Sequence, residues 1–311
     1  MVELAGSTVT ALTEAEWERA LAGVTAPLPF GTACWRRWGD TSAPGRRFTP
    51  VRVCRSDAGE LLVPLFVSEL DGQLGGFGYG MVCPGTTWPH PALPRFDRLA
   101  RTLCAAAGLA GLRTLLPPLS TVDDLDRLAG HWRGVPGRPT YVLDLTAGAE
   151  SVWARARGSA RTAVRRAESH RVWIDDPRPA DGAAVTDLYL RTLQRAGHRL
   201  GSRPDLAFLA EKRADVLTVV ARGGDGAAQA VSAFAVCAGT AFHVVQATSD
   251  AGRRTNAGHL AFFAAISGLA AAGVRRVDLG SATNPGQERF KLNWGATARP
   301  TRLLSWPGGQ P

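Results

Sequence analysis

Lysine is almost absent from this chain. Of 36 basic side chains among 311 residues, two are lysines, Lys212 and Lys291; every other one is arginine. Cysteine is sparse as well. Cys34, Cys54, Cys83, Cys104 and Cys237 are odd in number and form no CxxC pair, which argues against a disulfide framework or a zinc site and predicts reduced core thiols. Long apolar runs are missing: AGHLAFFAAISGLAAAG comes nearest to a membrane span, but it carries His259 and three glycines and runs into Arg275-Arg276, so it reads as a buried helix. The opening MVELAGSTVTALTEAEWE is acidic where an export signal is basic, so the expected location is the cytoplasm.

Catalytic signatures are also lacking. There is no GxSxG elbow, and Ser281 in DLGSAT has no flanking glycine pattern. The six histidines form no HxxxH or HExxH pair, so no metal is expected. No lysine lies in a glycine-rich stretch, which rules out a P-loop.

What is present is a chain that can bury a core: 45% hydrophobic residues, a mean hydropathy of −0.05, and length for two domains. The arginine preference, beside abundant Ala and Gly, fits GC-rich coding. The net charge of +9 and pI near 10.1 suit a polyanionic partner, either nucleic acid or a phosphorylated substrate.

Thr13-Glu14-Ala15-Glu16 caps a first helix carrying Trp17 and Leu21. FTPVRVCRSDAGELLVPLFVSEL reads as a hairpin turning near Asp57-Ala58-Gly59, GGFGYGMVCPG as a loop with a short strand, and the stretch from Phe96 to Ala110 as a helix. TYVLDLTAG is a strand leading to a domain boundary near Thr146. The second part restarts the same order: one basic helix in SVWARARGSARTAVRRAESHRV, a strand at Val172-Trp173-Ile174, and a helix from Asp181 to Gly197. Strands follow at Val216–Arg222, Ala228–Cys237 and Thr240–Ala247 with glycine turns between them. A helix from Asn256 to Gly273, a strand at Val277-Asp278-Leu279, a loop through FKLNWGA and a strand from Thr301 to Trp306 complete the chain. This is an α+β order of duplicated α/β/α units. The expected domains are 1–145 and 146–311, the last strand packing back on the first domain.

Two stretches invite an anion. Arg253-Arg254 precedes Asn256-Ala257-Gly258 at a helix start, where backbone N–H groups and the helix dipole favour negative charge. Coenzyme A-dependent GNAT acetyltransferases place an Arg/Gln-x-x-Gly-x-Gly/Ala turn there; Arg253, Asn256 and Gly258 take the three places, with Asn in the middle. In the basic helix, Arg157, Arg161 and Arg165 share one face by (i, i+4) spacing and repel unless an anion lies between them.

SARTAVRRAESHRV, LYLRTLQRAG, HVVQATSD, HLAFFAAISGLAAAG, VDLGSA and RFKLNWGA together resemble the GNAT-like domain of the Fem family of aminoacyl-tRNA-dependent transferases, and FGTACWRRWG with GYGMVCPG resembles that family's N-terminal unit. The resemblance implies two tandem GNAT-type domains and no cofactor. It also implies transfer of an aminoacyl group from tRNA to an amine: a small molecule of an antibiotic-like pathway, or a peptidoglycan precursor. The family's Phe-Lys signature falls on Phe290 and Lys291, giving them a part in catalysis. The expected substrate-binding set is Arg161, Arg165, Asp250, Arg253, Arg254, Asn284 and Trp294. The chain departs from those cell-wall members that carry a coiled-coil arm in having no uninterrupted heptad stretch, a compact build that leans away from the largest acceptors. Asp250, Asp278, His243 and Glu288 are all candidates for the general base, and substrate-assisted deprotonation needs none of them. The alternatives are an acyl-coenzyme A N-acyltransferase and a non-catalytic tRNA- or nucleotide-binding protein.

Overall fold

The computed structural model describes residues 2–4, 7–22, 46–55, 59–68, 73–75, 111–116, 133–197, 204, 206–237 and 239–307. The chain divides into two units, 1–138 with 300–311, and 139–299.

In the first unit, Thr13 begins helix α1 (Glu14–Ala22) as a capping box. Its hydroxyl accepts from Glu16 N at 3.3 Å, and its own N–H donates to the Glu16 carboxylate at 2.8 Å. Trp17 and Leu21 bury against Leu12 and Leu62. The expected hairpin forms from β3 (Arg46–Arg55) and β4 (Gly59–Ser68), running from Arg46↔Ser68 to Arg55↔Gly59. They join β1 (Val2–Leu4), β2 (Ser7–Ala11), β5 (Gln73–Gly75), β6 (Gly111–Leu116) and β7 (Arg133–Pro136) in a sheet of order β1-β2-β3-β4-β5-β6-β15-β7. Strand β15 (Arg302–Pro307) lies between β6 and β7. Beyond Gly75, which ends β5, the stretch GFGYGMVCPG falls outside the described residues, as do the helix from Phe96 to Ala110 and Cys34, Cys83 and Cys104. Cys54 is exposed, contrary to the expectation of a core thiol, because it lies on an outer face of β3.

The second unit starts at Pro139, earlier than the expected boundary near Thr146. The reason is the pairing of β8 (Thr140–Asp144) with β13 (Arg276–Ser281) and β14 (Thr297–Arg299). The sheet order is β14-β8-β13-β12-β11-β10-β9, with β9 Trp173–Asp175, β10 Val216–Arg222, β11 Ala228–Cys237 and β12 Thr240–Thr248. The basic stretch forms two helices instead of the expected one, α2 (Gly148–Arg155) and α3 (Gly158–Ser169). Between them Ala156 and Arg157 are extended, with ψ of 141° and 150°. Arg157 N–H donates to Asn293 O at 2.8 Å, and Gly295 approaches Arg155 so closely that a Cβ would lie 3.2 Å from it. The helix breaks to admit that turn.

Helix α4 (Gly182–Arg195) packs on β11 and β12, and the short α5 (Asp250–Thr255) leads into α6 (Ala257–Ala271). α6 covers β10, β11 and β12, burying Leu260, Phe262, Ile266 and Leu269 in the main core, and α2 and α3 pack on it. Helix α7 (Pro285–Asn293) occupies the segment expected to be a loop. The fold is a mixed sheet flanked by helices, of the α+β class. No helix among the described residues is long and apolar enough to cross a membrane.

Candidate functional site

β12 and β13 run parallel, but they pair only over Thr240–Phe242 and Arg276–Asp278. Beyond those residues β12 continues to Thr248 and β13 to Ser281, and the strands part. A cleft of about 630 Å³ opens there, walled by α4, the ends of both strands and α7.

Helix α7 presents Phe290 and Lys291 to this cleft. Asn284 starts the helix as its N-cap, its Oδ1 accepting from Gln287 N at 3.0 Å, with Pro285 following in the first turn. Thr283 adds a second clasp: its N–H and hydroxyl donate to Gln287 Oε1 at 2.8 and 3.0 Å. Asn284 therefore lines the cleft with its side chain already engaged in capping.

Lys291 is 7% exposed, unusually deep for a lysine. Its Nζ donates to Gly280 O at 2.8 Å and Ser281 O at 2.7 Å, and sits 5.4 Å from the Tyr141 ring centroid. Burial pushes its pKa down to about 8, with the Asp278 charge pulling partly the other way. The Tyr141 hydroxyl donates to Glu288 Oε1 at 2.6 Å; that bond, reinforced by burial, raises the phenol above its ordinary range.

The other base candidates fare differently. His243 is stacked on Phe234 at 4.6 Å, and burial, with the Lys291 charge second, pushes its pKa down to about 3. Its ring is neutral and very weakly basic. Asp278 is buried, its carboxyl raised by desolvation and engaged by Thr140 Oγ1 and by Gly280 N at 2.7 Å. Asp250 is exposed at the start of α5, 3.4 Å from Arg195. Glu288 is held by Tyr141.

Of the expected binding residues, Arg253 and Asn284 line the cleft with Phe290 and Lys291. Arg254 is exposed and Asp250 lies beside Arg195, neither among the cleft's lining residues. Arg161 turns inward: Nη1 donates to the carbonyls of Trp153 and Ala154, both at 3.3 Å, and of Ala156, capping the end of α2. Arg165 stacks over Trp153 at 5.8 Å. Arg161 is thus engaged by backbone carbonyls, while Arg157 and Arg165 on the same face are exposed. Trp294 is a core residue, fully buried and stacked on Phe263 at 5.7 Å, with no part in the cleft.

The Arg253–Gly258 stretch spans the end of α5 and the start of α6, with Asn256 in the left-handed region between them. Gly252 N and Arg253 N are bonded to Ser249 at 3.0 and 2.9 Å, and Asn256, at φ 62°, donates to Arg253 O at 3.4 Å. Gly258 is packed so tightly that a Cβ would stand 2.8 Å from Thr248 Oγ1.

The residue reading missed several cleft residues. Thr192 Oγ1 accepts from Thr248 N at 3.2 Å, Arg195 donates to Thr248 O, and Gln246 Nε2 donates to Gly258 O at 3.2 Å. These bonds join elements distant in sequence, and no local pattern marks them. Gly280, at φ 70°, was the available signal: a glycine ending a strand where the backbone must turn. Among the described residues no group of three or more His, Cys, Asp or Glu could hold a metal.

A helix-flanked mixed sheet whose parallel central strands splay around a polar cleft defines a GNAT-like fold. Comparison with solved structures gives that fold a more particular form. FemX superposes with a TM-score of 0.70 at 10% identity, over 96% of this chain and 97% of that one. The C-terminal domain of a putative lysylphosphatidylglycerol synthetase from Agrobacterium fabrum gives 0.54 at 14% identity, covering 88% and 87%. A tandem GNAT protein from the clavulanic acid biosynthesis pathway gives 0.50 at 14% identity, covering 98% and 99%. No family model and no curated protein matches the sequence. The chain has a Fem-like, GNAT-type fold.

Proposed function

We propose that the protein is an aminoacyl-tRNA-dependent transferase that forms an amide bond, with Phe290 and Lys291 at its catalytic centre. The observation that carries this reading is the depressed, carbonyl-held Lys291 at the floor of the cleft. An aminoacyl ester is already activated, so the enzyme must position an amine, accept its proton and deliver one to the departing ribose oxygen. With a pKa of about 8, Lys291 is divided between both protonation states near neutral pH. As free amine it takes the proton the acceptor nitrogen loses on attacking the ester carbonyl. As ammonium it returns that proton to the ribose oxygen when the tetrahedral intermediate collapses. Ester and amine become amide and alcohol, and the lysine ends as it began. The acceptor is a small amine of a specialised pathway or, second, a peptidoglycan precursor. The site of action is the cytoplasm, and no cofactor takes part.

Acyl-coenzyme A is the rival donor, favoured by the position of Arg253 at the cleft. Against it stands that the Gly252, Arg253 and Asn256 amides of this turn are already bonded within the protein. The test is to offer the protein pooled charged tRNAs, with and without ribonuclease, beside acyl-coenzyme A donors. Ribonuclease-sensitive loss of one amino acid from tRNA, absent in Lys291→Ala, is the expected result. Turnover with thioester alone overturns the reading.

A further inference from the structure

The Lys291 ammonium is held by two carbonyls that belong to a single turn, and something must hold the turn. Gly280 sits at φ 70° and Ser281 follows it, at the free end of β13 where pairing with β12 has stopped. The register between β13 and β8 also shifts between Asp278 and Ser281. Pairing with β12 ends at Asp278, and β8 re-engages the strand only at Ser281↔Thr140, so Gly280 has no strand partner on either side. A buried side chain ties it down: Asp278 Oδ1 accepts from Gly280 N at 2.7 Å and from the hydroxyl of Thr140 on β8. Both are out of solvent, Asp278 at 5% exposure and Thr140 at 0%.

We propose that Asp278 is a positioning residue for Lys291: it anchors the Gly280–Ser281 turn so that both carbonyls aim at Nζ, and its negative charge, one backbone turn away, acts on the proton that Nζ holds. This rests on the catalytic role proposed for Lys291. The carboxylate has no direct bond to Nζ; it acts through the Gly280 amide and through space. Burial drives the Asp278 carboxyl up and the Lys291 ammonium down, and each charge draws the other partly back. The other groups facing the lysine have different roles. Tyr141 on β8 and Glu288 on α7 are paired with each other, His243 on β12 is neutral above about pH 3, and Arg195 and Arg253 line the same cleft from α4 and α5. Asp278 is the one buried carboxylate among them. Both donors go to the same oxygen, Oδ1, so asparagine can keep both bonds while losing the charge.

The small number of lysines makes the test clean. Protein carrying 13C at lysine Cε gives two resonances, Lys291 and the exposed Lys212, and each reports its own titration. In Asp278→Asn the Lys291 midpoint is expected to move to lower pH by about one unit, the size of an opposite charge lost at short range, while Lys212 stays in place. Thr140→Val removes one donor from Oδ1 with no change of formal charge and disfavours the carboxylate, so it moves Lys291 the same way by less. It carries the test alone if Asp278→Asn does not fold. The acid limb of the transfer reaction's pH profile should move by the same amount as the resonance. Unchanged Lys291 titration in a folded variant overturns the proposal, as does a moved titration with a stationary acid limb. The resonance is read without substrate, so failure of the wild-type chain to use charged tRNA would sink the proposed function and leave the Asp278–Lys291 coupling to be judged by titration.

Discussion

Replacing Lys291 with methionine should change how the stability of the fold responds to pH. Unfolded, the lysine keeps its proton up to the ordinary value of 10.5; folded, it releases it near 8. Between those values the unfolded state binds more protons, so stability rises with pH. The cost of burying the ammonium is fully present below pH 8 and fades as pH climbs towards 10.5. A shift of about 2.5 units corresponds to about 3.4 kcal/mol at neutral pH, of which about 2 kcal/mol is recovered by pH 9.5. Methionine carries no such cost, though it strands the Gly280 and Ser281 carbonyls at about 1–3 kcal/mol each. That loss does not vary with pH and cancels when the two pH values are compared. Groups that titrate in this range without coupling to Lys291 are common to both chains and cancel too. Urea denaturation of both proteins at pH 7.0 and 9.5 is the assay. The wild-type chain should gain about 2 kcal/mol on the variant between the two. Parallel behaviour would refute the reasoning, since it would mean that folding leaves the Lys291 proton undisturbed.

Trp294→Ala should cost about 3–5 kcal/mol in urea denaturation, the range for emptying an aromatic site in a packed core, with donor KM unchanged in the protein that remains folded. Arg161→Ala should lower stability by about 1–2 kcal/mol through lost capping bonds and leave donor KM alone. Arg253→Ala should do the reverse, raising KM with Tm unmoved, because its side chain is exposed at the cleft. His243→Gln should leave the acid limb of the pH profile where it is between pH 5 and 9, since its ring is already neutral there.

The three antiparallel strands of the second unit were legible to within a residue because alternation and tight glycine turns are local signals. Helix α7 was not, although Asn284-Pro285 is a start signal; its sequence QERFKLN lacks an apolar stripe that would advertise a helix. The break between α2 and α3 was invisible for another reason. Its causes are Asn293 and Gly295, more than a hundred positions away along the chain. The intramolecular partners of Arg161 and Arg165 were not legible either, because sequence cannot reveal that three carbonyls and an indole lie beside like charges at helical spacing. The site divides the same way. Phe290 and Lys291 stand out by composition and resemblance, whereas the turn that holds the lysine depends on Asp278 meeting Thr140 across 138 residues.

The scarcity of lysine then has a physical reading at position 291. An ammonium has three hydrogens on a tetrahedral nitrogen, and the Gly280 and Ser281 carbonyls take two of them. One position is left. It holds a hydrogen when the group is charged and a lone pair when it is not, and the two anchoring bonds are the same in both states. The group can exchange a proton without moving. Arginine offers nothing equivalent: its guanidinium is planar, stays protonated throughout the working range and accepts no hydrogen bond. In a chain that meets almost every other need for positive charge with arginine, the proposed proton transfer calls here for an amine that can lose its proton, and burial, opposed in part by the Asp278 carboxylate, brings that loss to about pH 8.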